Sequence, residues 1–126
     1  MKKVILIEDD PSIVDVYSEA FKLAKIDLDA ITWGKDAIQR IQDIQAGKAE
    51  KPALFLIDLL LPDINGAEIL KTAKTTEATK DIPAFILSNY TSQNFQSVDN
   101  IQPDKFIVKS DITPTKLMEI VKEVIK

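Results

Sequence analysis

Apolar residues fall along this chain in two alternating kinds of pattern. Short unbroken apolar runs read as strands covered on both faces, and longer stretches with apolar residues three or four apart read as helices. Lys3–Ile7 is the first run, and it stops at Glu8-Asp9-Asp10. Pro11 suits the first turn of a helix with Asp10 as its N-cap, and Ile13, Tyr17, Ala20, Phe21 and Ala24 then recur at helical spacing. Asp27–Ile31 is more polar and suits an edge strand. Thr32-Trp33-Gly34 reads as a turn, and Ala37, Ile38, Ile41 and Ile44 mark a second helix fading near Gly47.

A polar loop over residues 47–52 leads to the third strand, Ala53–Ile57, which runs straight into Asp58. A loop through Pro62 ends at Gly66. There Asn65, with Glu68 three residues on, predicts a capped helix lined by Ala67, Leu70 and Ala73. Pro83 precedes a fourth strand, Ala84–Leu87, ending at Ser88. Lys105–Val108 is the fifth, ending at Lys109. Between them Phe95, Val98 and Ile101 predict one side of a helix within residues 91–102, although Asn, Ser and Gln are frequent there. Thr113-Pro114 opens a last helix with Leu117, Ile120, Val121 and Val124 inward. Five strands alternating with five helices predict an α/β domain over residues 1–126. The sheet is parallel, with right-handed crossovers and helices on both faces.

The 126 residues fit one core, and 45% hydrophobic with 29% charged residues is an ordinary globular balance. The net charge of −4, from 20 acids and 16 bases, argues against non-specific nucleic-acid binding. The chain has no cysteine and no histidine, which excludes disulfides, thiolate metal sites, Ser-His-Asp and Cys-His catalysis and His-bound zinc. Any metal must take oxygen ligands, which points to Mg²⁺, Ca²⁺ or Mn²⁺. Met1-Lys2-Lys3 precedes too short an apolar run for a signal peptide, and Asp58 interrupts the longest apolar stretch, so the expected location is cytoplasmic, with no membrane contact.

Ligands of open parallel sheets bind beyond the carboxyl ends of the strands. There this chain places Glu8 and Asp9, then Asp58, Ser88 and Lys109. Three carboxylates raise one another's pKa unless a cation joins them, and Mg²⁺ accepts such ligands. With a hydroxyl and an ammonium beside it, the group makes a cradle for a phosphoryl group. The natural chemistry is attack by Asp58 on phosphorus.

The chain resembles the receiver domain of two-component response regulators, of the stand-alone chemotaxis-regulator type. The motifs are Glu8-Asp9, then Asp58-Leu59-Leu60-Leu61-Pro62 through Gly66, with Ser88 thirty residues past Asp58 and Lys109 twenty-one past Ser88. The resemblance implies a 2-1-3-4-5 strand order and a phosphoryl group taken by Asp58 from a sensor histidine kinase or histidine phosphotransfer protein. It implies Mg²⁺, with Mn²⁺ as a substitute, on Asp9, Asp58 and the Leu60 backbone carbonyl, with Glu8 acting through metal-bound water. It also implies that Lys109 pairs with a phosphoryl oxygen, that Ser88 binds another, and that Phe106 swings inward on activation. The surface of the fourth helix, fifth strand and fifth helix then changes for an unknown downstream protein. The chain is expected as a monomer or a phosphorylation-dependent dimer.

Three departures from the family pattern carry expectations. Proline usually follows the lysine, across a cis bond; here Ser110 follows Lys109, so the bond is either a strained cis or a trans with a rearranged loop. Asn89 stands where a small residue is usual. Leu60 and Tyr90 occupy positions that influence hydrolysis of the acyl phosphate, and their bulk predicts a long-lived phosphorylated form. The extra residues between Asp9 and Asp58 fit the Ala46–Lys51 loop. Trp33 is read as covering apolar surface at the sheet edge. Two rival functions differ in class. An aspartate-nucleophile phosphatase would carry an acid at position 60, where this chain has leucine. A phosphorylation-independent interaction module would have lost an acid or the lysine. The expected protein is therefore a signalling switch rather than an enzyme, at most phosphorylating itself from small donors.

Overall fold

A computed structural model describes residues 2–89 and 95–126. The elements follow in the order β1 (Lys3–Ile7), α1 (Pro11–Leu23), β2 (Asp27–Ile31), α2 (Gly34–Gln45), β3 (Leu54–Ile57), α3 (Gly66–Thr75), β4 (Ala84–Ser88), β5 (Lys105–Val108) and α4 (Pro114–Ile125). The strands form one sheet of order β2-β1-β3-β4-β5, with every pairing parallel. The polar strand β2 is at an edge, as expected. Among the described residues no helix is long and apolar enough to cross a membrane.

Unbroken apolar strands are needed here because each face of the sheet has its own core. Ile5, Ile7, Phe55, Ile57, Ala84 and Ile86 pack with α2 and α3. Val4, Leu6, Leu54, Leu56, Phe85 and Leu87 pack with α1 and α4. Successive residues alternate between the two layers, so a polar residue inside a strand would face a core whichever way it pointed. The polar residues instead gather where the strands end.

Helix starts were legible in the caps. Asp10 accepts from the Ser12 amide at 2.9 Å, Asn65 from Ala67 at 2.8 Å and Thr113 from Lys116 at 3.1 Å. The last helix buries Met118 and Ile125 beside Leu117 and Val121, while Ile120 and Val124 are only partly buried.

The helix expected within residues 91–102 is a correction, since residues 95–102 are not helical. The described residues therefore hold four α-helices, not five, beside a 3-10 turn at Lys109–Asp111. Asp99 and Asn100 lie in the left-handed region, at φ 54° and 62°, where short polar side chains are tolerated and a right-handed helix cannot continue. Lys71 of α3 holds Asp99 at 2.9 Å. Phe95 packs edge-on against Phe106, with centroids 5.7 Å apart and the planes at 62°. The spacing of Phe95, Val98 and Ile101 thus serves a turn folded onto the core of the α2–α3 face. Residues 91–94, and Tyr90 with its expected role, lie outside the described residues.

Candidate functional site

The site forms where β1 and β3 lie side by side and their connections leave in opposite directions. Ile7 is in register with Ile57, and the Asp58 amide donates to the Ile7 carbonyl at 2.9 Å. This bond sets Asp58 beside the residues that follow β1. The Glu8 amide donates to the Ile31 carbonyl at 3.0 Å, which keeps Glu8 in the extended line of β1.

Glu8 and Asp58 are buried, while Asp9 is exposed. One carboxylate oxygen of each lies within 4.8 Å of one from the others. The Lys109 ammonium enters from the end of β5. It forms an ion pair with Glu8 and lies 3.4 Å from Asp58 Oδ2, with only 9% of its side chain exposed. The second Glu8 oxygen accepts from the Asp10 amide at 3.1 Å. Ser88, at the end of β4, is buried. The described chain holds no cis peptide, so the Lys109–Ser110 bond is trans and opens the 3-10 turn, with Lys109 still directed inward.

Electrostatics follow from this crowding. Burial pushes the Asp58 carboxyl up to about 7; Lys109 opposes the shift, the Glu8 charge adds to it, and the Leu60 amide opposes it. The Lys109 ammonium is raised: burial works against the charge, but hydrogen bonding to Glu8 and the charges of Asp58 and Glu8 outweigh it. Oxygen donors this close, with one lysine among them, suit a hard divalent cation, which would hold the carboxylates in charged form.

Other expected residues fall around this centre. Leu60 is 50% exposed at the rim, and its backbone pairs with Asn65 in an isolated antiparallel bridge. Asn89 is exposed and lines a cleft of about 320 Å³ together with Tyr17, Lys109 and Ser110. Phe106 is partly buried, on the opposite side of the sheet from α1 and α4. Trp33 is 45% exposed at the N-cap of α2.

The chain belongs to the response regulator receiver domain family. Residues 4–122 match that family's sequence profile. The chain is 28% identical over 88 residues to RpaA of Synechocystis sp., a DNA-binding dual master transcriptional regulator, covering 70% of this chain and 34% of that one. It thus spans about a third of the length of the first curated relatives it matches. Among solved structures it resembles the phosphorylated cyanobacterial phytochrome response regulator RcpA, at 28% identity and TM-score 0.79 over 98% of this chain and 90% of that one. It also resembles TrrA of Thermotoga maritima, solved in complex with Mg(2+)-BeF, at 22% identity and TM-score 0.80 over 98% and 99% of the two chains.

Reading the sequence missed two neighbours of this receiver site. Tyr17 looked like helix core and is buried. Its hydroxyl pKa is raised chiefly by burial, and the charges of Lys109, Glu8 and Asp58 also act on it. Asp63 looked like loop, yet its carboxylate accepts from the Gly34 and Lys35 amides at 2.8 and 2.9 Å. A signal was present: the residue before α2 is Trp33, which has no oxygen to cap with.

Proposed function

We propose that this receiver is a phospho-accepting switch. Asp58 takes a phosphoryl group from a phosphohistidine of a sensor kinase or histidine phosphotransfer protein. The observation that carries this reading is the buried Asp58 carboxyl with Glu8 and Asp9 oxygens within 4.8 Å and the Lys109 ammonium at 3.4 Å. That set offers a nucleophile, oxygen ligands for a cation and a fixed positive charge in one place.

Asp9, Asp58 and the Leu60 carbonyl would hold Mg²⁺ or Mn²⁺, with Glu8 acting through metal-bound water. Bound Mg²⁺ supplies positive charge against the carboxylates and the incoming phosphoryl oxygens. An Asp58 oxygen forms the new bond to phosphorus. The bond from phosphorus to the imidazole nitrogen breaks, and its electron pair stays on the imidazole. Lys109 turns from Glu8 and Asp58 toward a phosphoryl oxygen, and Ser88 binds another.

The new contacts favour one arrangement of the loop after β4 over the other. Phe106 then changes its packing. The surface that responds is built from the 95–101 segment, β5 and α4, and a downstream protein reads it. Leu60, half-exposed at the rim, obstructs water in line with the acyl phosphate and slows its loss, a role the family pattern also gives to Tyr90 and Asn89.

Beryllium fluoride, a phosphoryl mimic, tests this reading. Adding it with Mg²⁺ should shift the backbone amide signals of Ser88, Phe106 and Lys109, and Asp58→Asn should abolish the shifts. Shifts that persist in Asp58→Asn, or none in the parent, would reject the phosphoacceptor role and favour a phosphorylation-independent interaction module.

A further inference from the structure

The loop that carries Asp58 and Leu60 is closed at its base and tied down at its tip. At the base, the Gly66 amide donates to the Leu59 carbonyl at 2.7 Å, and Leu60 pairs with Asn65. At the tip, Asp63 reaches out of its own loop to α2. Its Oδ1 accepts from the Gly34 amide at 2.8 Å and its Oδ2 from the Lys35 amide at 2.9 Å. Those amides head a helix whose own N-cap residue, Trp33, gives no side-chain bond. A carboxylate at a helix N-terminus meets both unpaired N–H groups and the positive end of the dipole.

The fit leaves no slack on the α2 side. A Cβ on Gly34 would lie 2.9 Å from Ile64 Cβ and 3.1 Å from Asp63 Oδ1, so glycine is what lets the loop tip approach. The loop is thus fastened at both ends, with Leu60 at its base and Asp63 at its tip. The Leu60 amide opposes the upward shift of the Asp58 carboxyl.

We propose that Asp63 is a positioning residue for metal binding: clamped to Gly34 and Lys35, it fixes the direction of the Leu60 carbonyl and the Asp58 carboxylate. This role rests on the reading above that those two groups are Mg²⁺ ligands. Partners that orient metal ligands from outside the coordination sphere commonly change affinity by 10–100-fold when removed. The clamp holds the Asp63 carboxyl below the usual carboxylate range, first through the Lys35 amide.

The test is a Mg²⁺ titration of the ¹⁵N-labelled full chain, reading dissociation constants from amide shifts, with melting temperatures measured without metal. The variants are Asp63→Ala, Asp63→Asn, Gly34→Ala, the Asp63→Ala/Gly34→Ala pair and Thr113→Ala. Thr113→Ala removes a cap of the same kind from α4, far along the chain from the metal loop. Asp63→Ala should weaken Mg²⁺ about tenfold. Gly34→Ala should weaken it similarly, and the double variant no further than either alone. Asp63→Asn, able to accept one of the two bonds, should fall between. Thr113→Ala should lower the melting temperature but leave Mg²⁺ affinity unchanged. Gly34 and Lys35 amides should shift on Mg²⁺ binding to the parent although neither is a ligand. Equal Mg²⁺ affinity in the parent, Asp63→Ala and Asp63→Asn, with melting lowered as in Thr113→Ala, would make Asp63 a helix cap alone and overturn the proposal. No saturable Mg²⁺ binding by the parent would overturn the metal reading first, and this role with it.

Discussion

The Lys109 ammonium is shared between Glu8, with which it is ion-paired, and Asp58 Oδ2 at 3.4 Å. One buried cation therefore answers two buried carboxylates, with Asp9 close by. Removing it leaves both acids unpaired, and an uncompensated buried charge costs several kcal/mol. Lys109→Met should lose about 3 kcal/mol at pH 8 without metal. The loss should be smaller at pH 5, where Asp58 carries its proton. Urea unfolding at the two pH values measures this. Equal losses at both would detach Lys109 from the titration of Asp58.

The Asp58 carboxyl, pushed up mainly by burial to about 7, gives the sign of a pH effect. The unfolded chain releases this proton near pH 4 and the folded chain near 7, so between those values the folded state binds more protons. Asp58's contribution to stability is full below pH 4 and is lost as pH rises to about 7. The metal-free parent should therefore weaken across that window by more than Asp58→Asn does. By pH 8 Asp58→Asn should be the more stable of the two, by roughly 2 kcal/mol. Mg²⁺ should narrow the gap by stabilising the parent selectively. Parallel pH profiles for the two proteins would show that Asp58 ionises normally.

Gly66 and Gly47 make a matched pair. A Cβ at Gly66 would lie 2.3 Å from the Asp58 carbonyl oxygen and 2.9 Å from Leu59 Cα, both backbone atoms that cannot step aside. Gly47 has open space around it but a φ of +77°. Gly47→Ala should cost about 1 kcal/mol and leave Mg²⁺ binding intact. Gly66→Ala should cost about 3 kcal/mol or more and also weaken Mg²⁺ binding, because the displaced backbone belongs to Asp58. Thermal melts with and without Mg²⁺ separate the two effects.

What the sequence made legible was set by burial. Strands covered on both faces leave little choice of where polar groups go, so Glu8, Asp58, Ser88 and Lys109 announced themselves as the first polar residues after apolar runs. The 91–102 stretch was read as helix because Phe95, Val98 and Ile101 recur every third residue, a spacing that a turn with Asp99 and Asn100 left-handed also satisfies. Propensity there was weak, and the ion pair from Lys71 to Asp99 joins residues 28 apart in the chain. Asp63 stayed hidden for the same reason, since its partners are 28 and 29 residues away. The Lys109–Ser110 bond is trans, where the family pattern has a cis bond before proline, and Lys109 still faces the acids.

The edge-on contact of Phe95 with Phe106 gives a local probe of switching. In a double-alanine cycle the pair should couple by about 1 kcal/mol in the unphosphorylated protein, since aromatic pairs contribute roughly 0.5–1.5 kcal/mol beyond their burial. If Phe106 repacks on activation, that coupling should fall once beryllium fluoride and Mg²⁺ are bound. Coupling that stays constant would leave Phe106 as ordinary core.

The central claim is that Asp58 accepts a phosphoryl group, and intact mass measures it most directly. The chain and Asp58→Asn would each be incubated with acetyl phosphate, with and without Mg²⁺. The account predicts one added phosphoryl group on the parent, dependent on Mg²⁺, lost slowly afterwards and absent from Asp58→Asn. No adduct under any condition, or an equal adduct on Asp58→Asn, would contradict it.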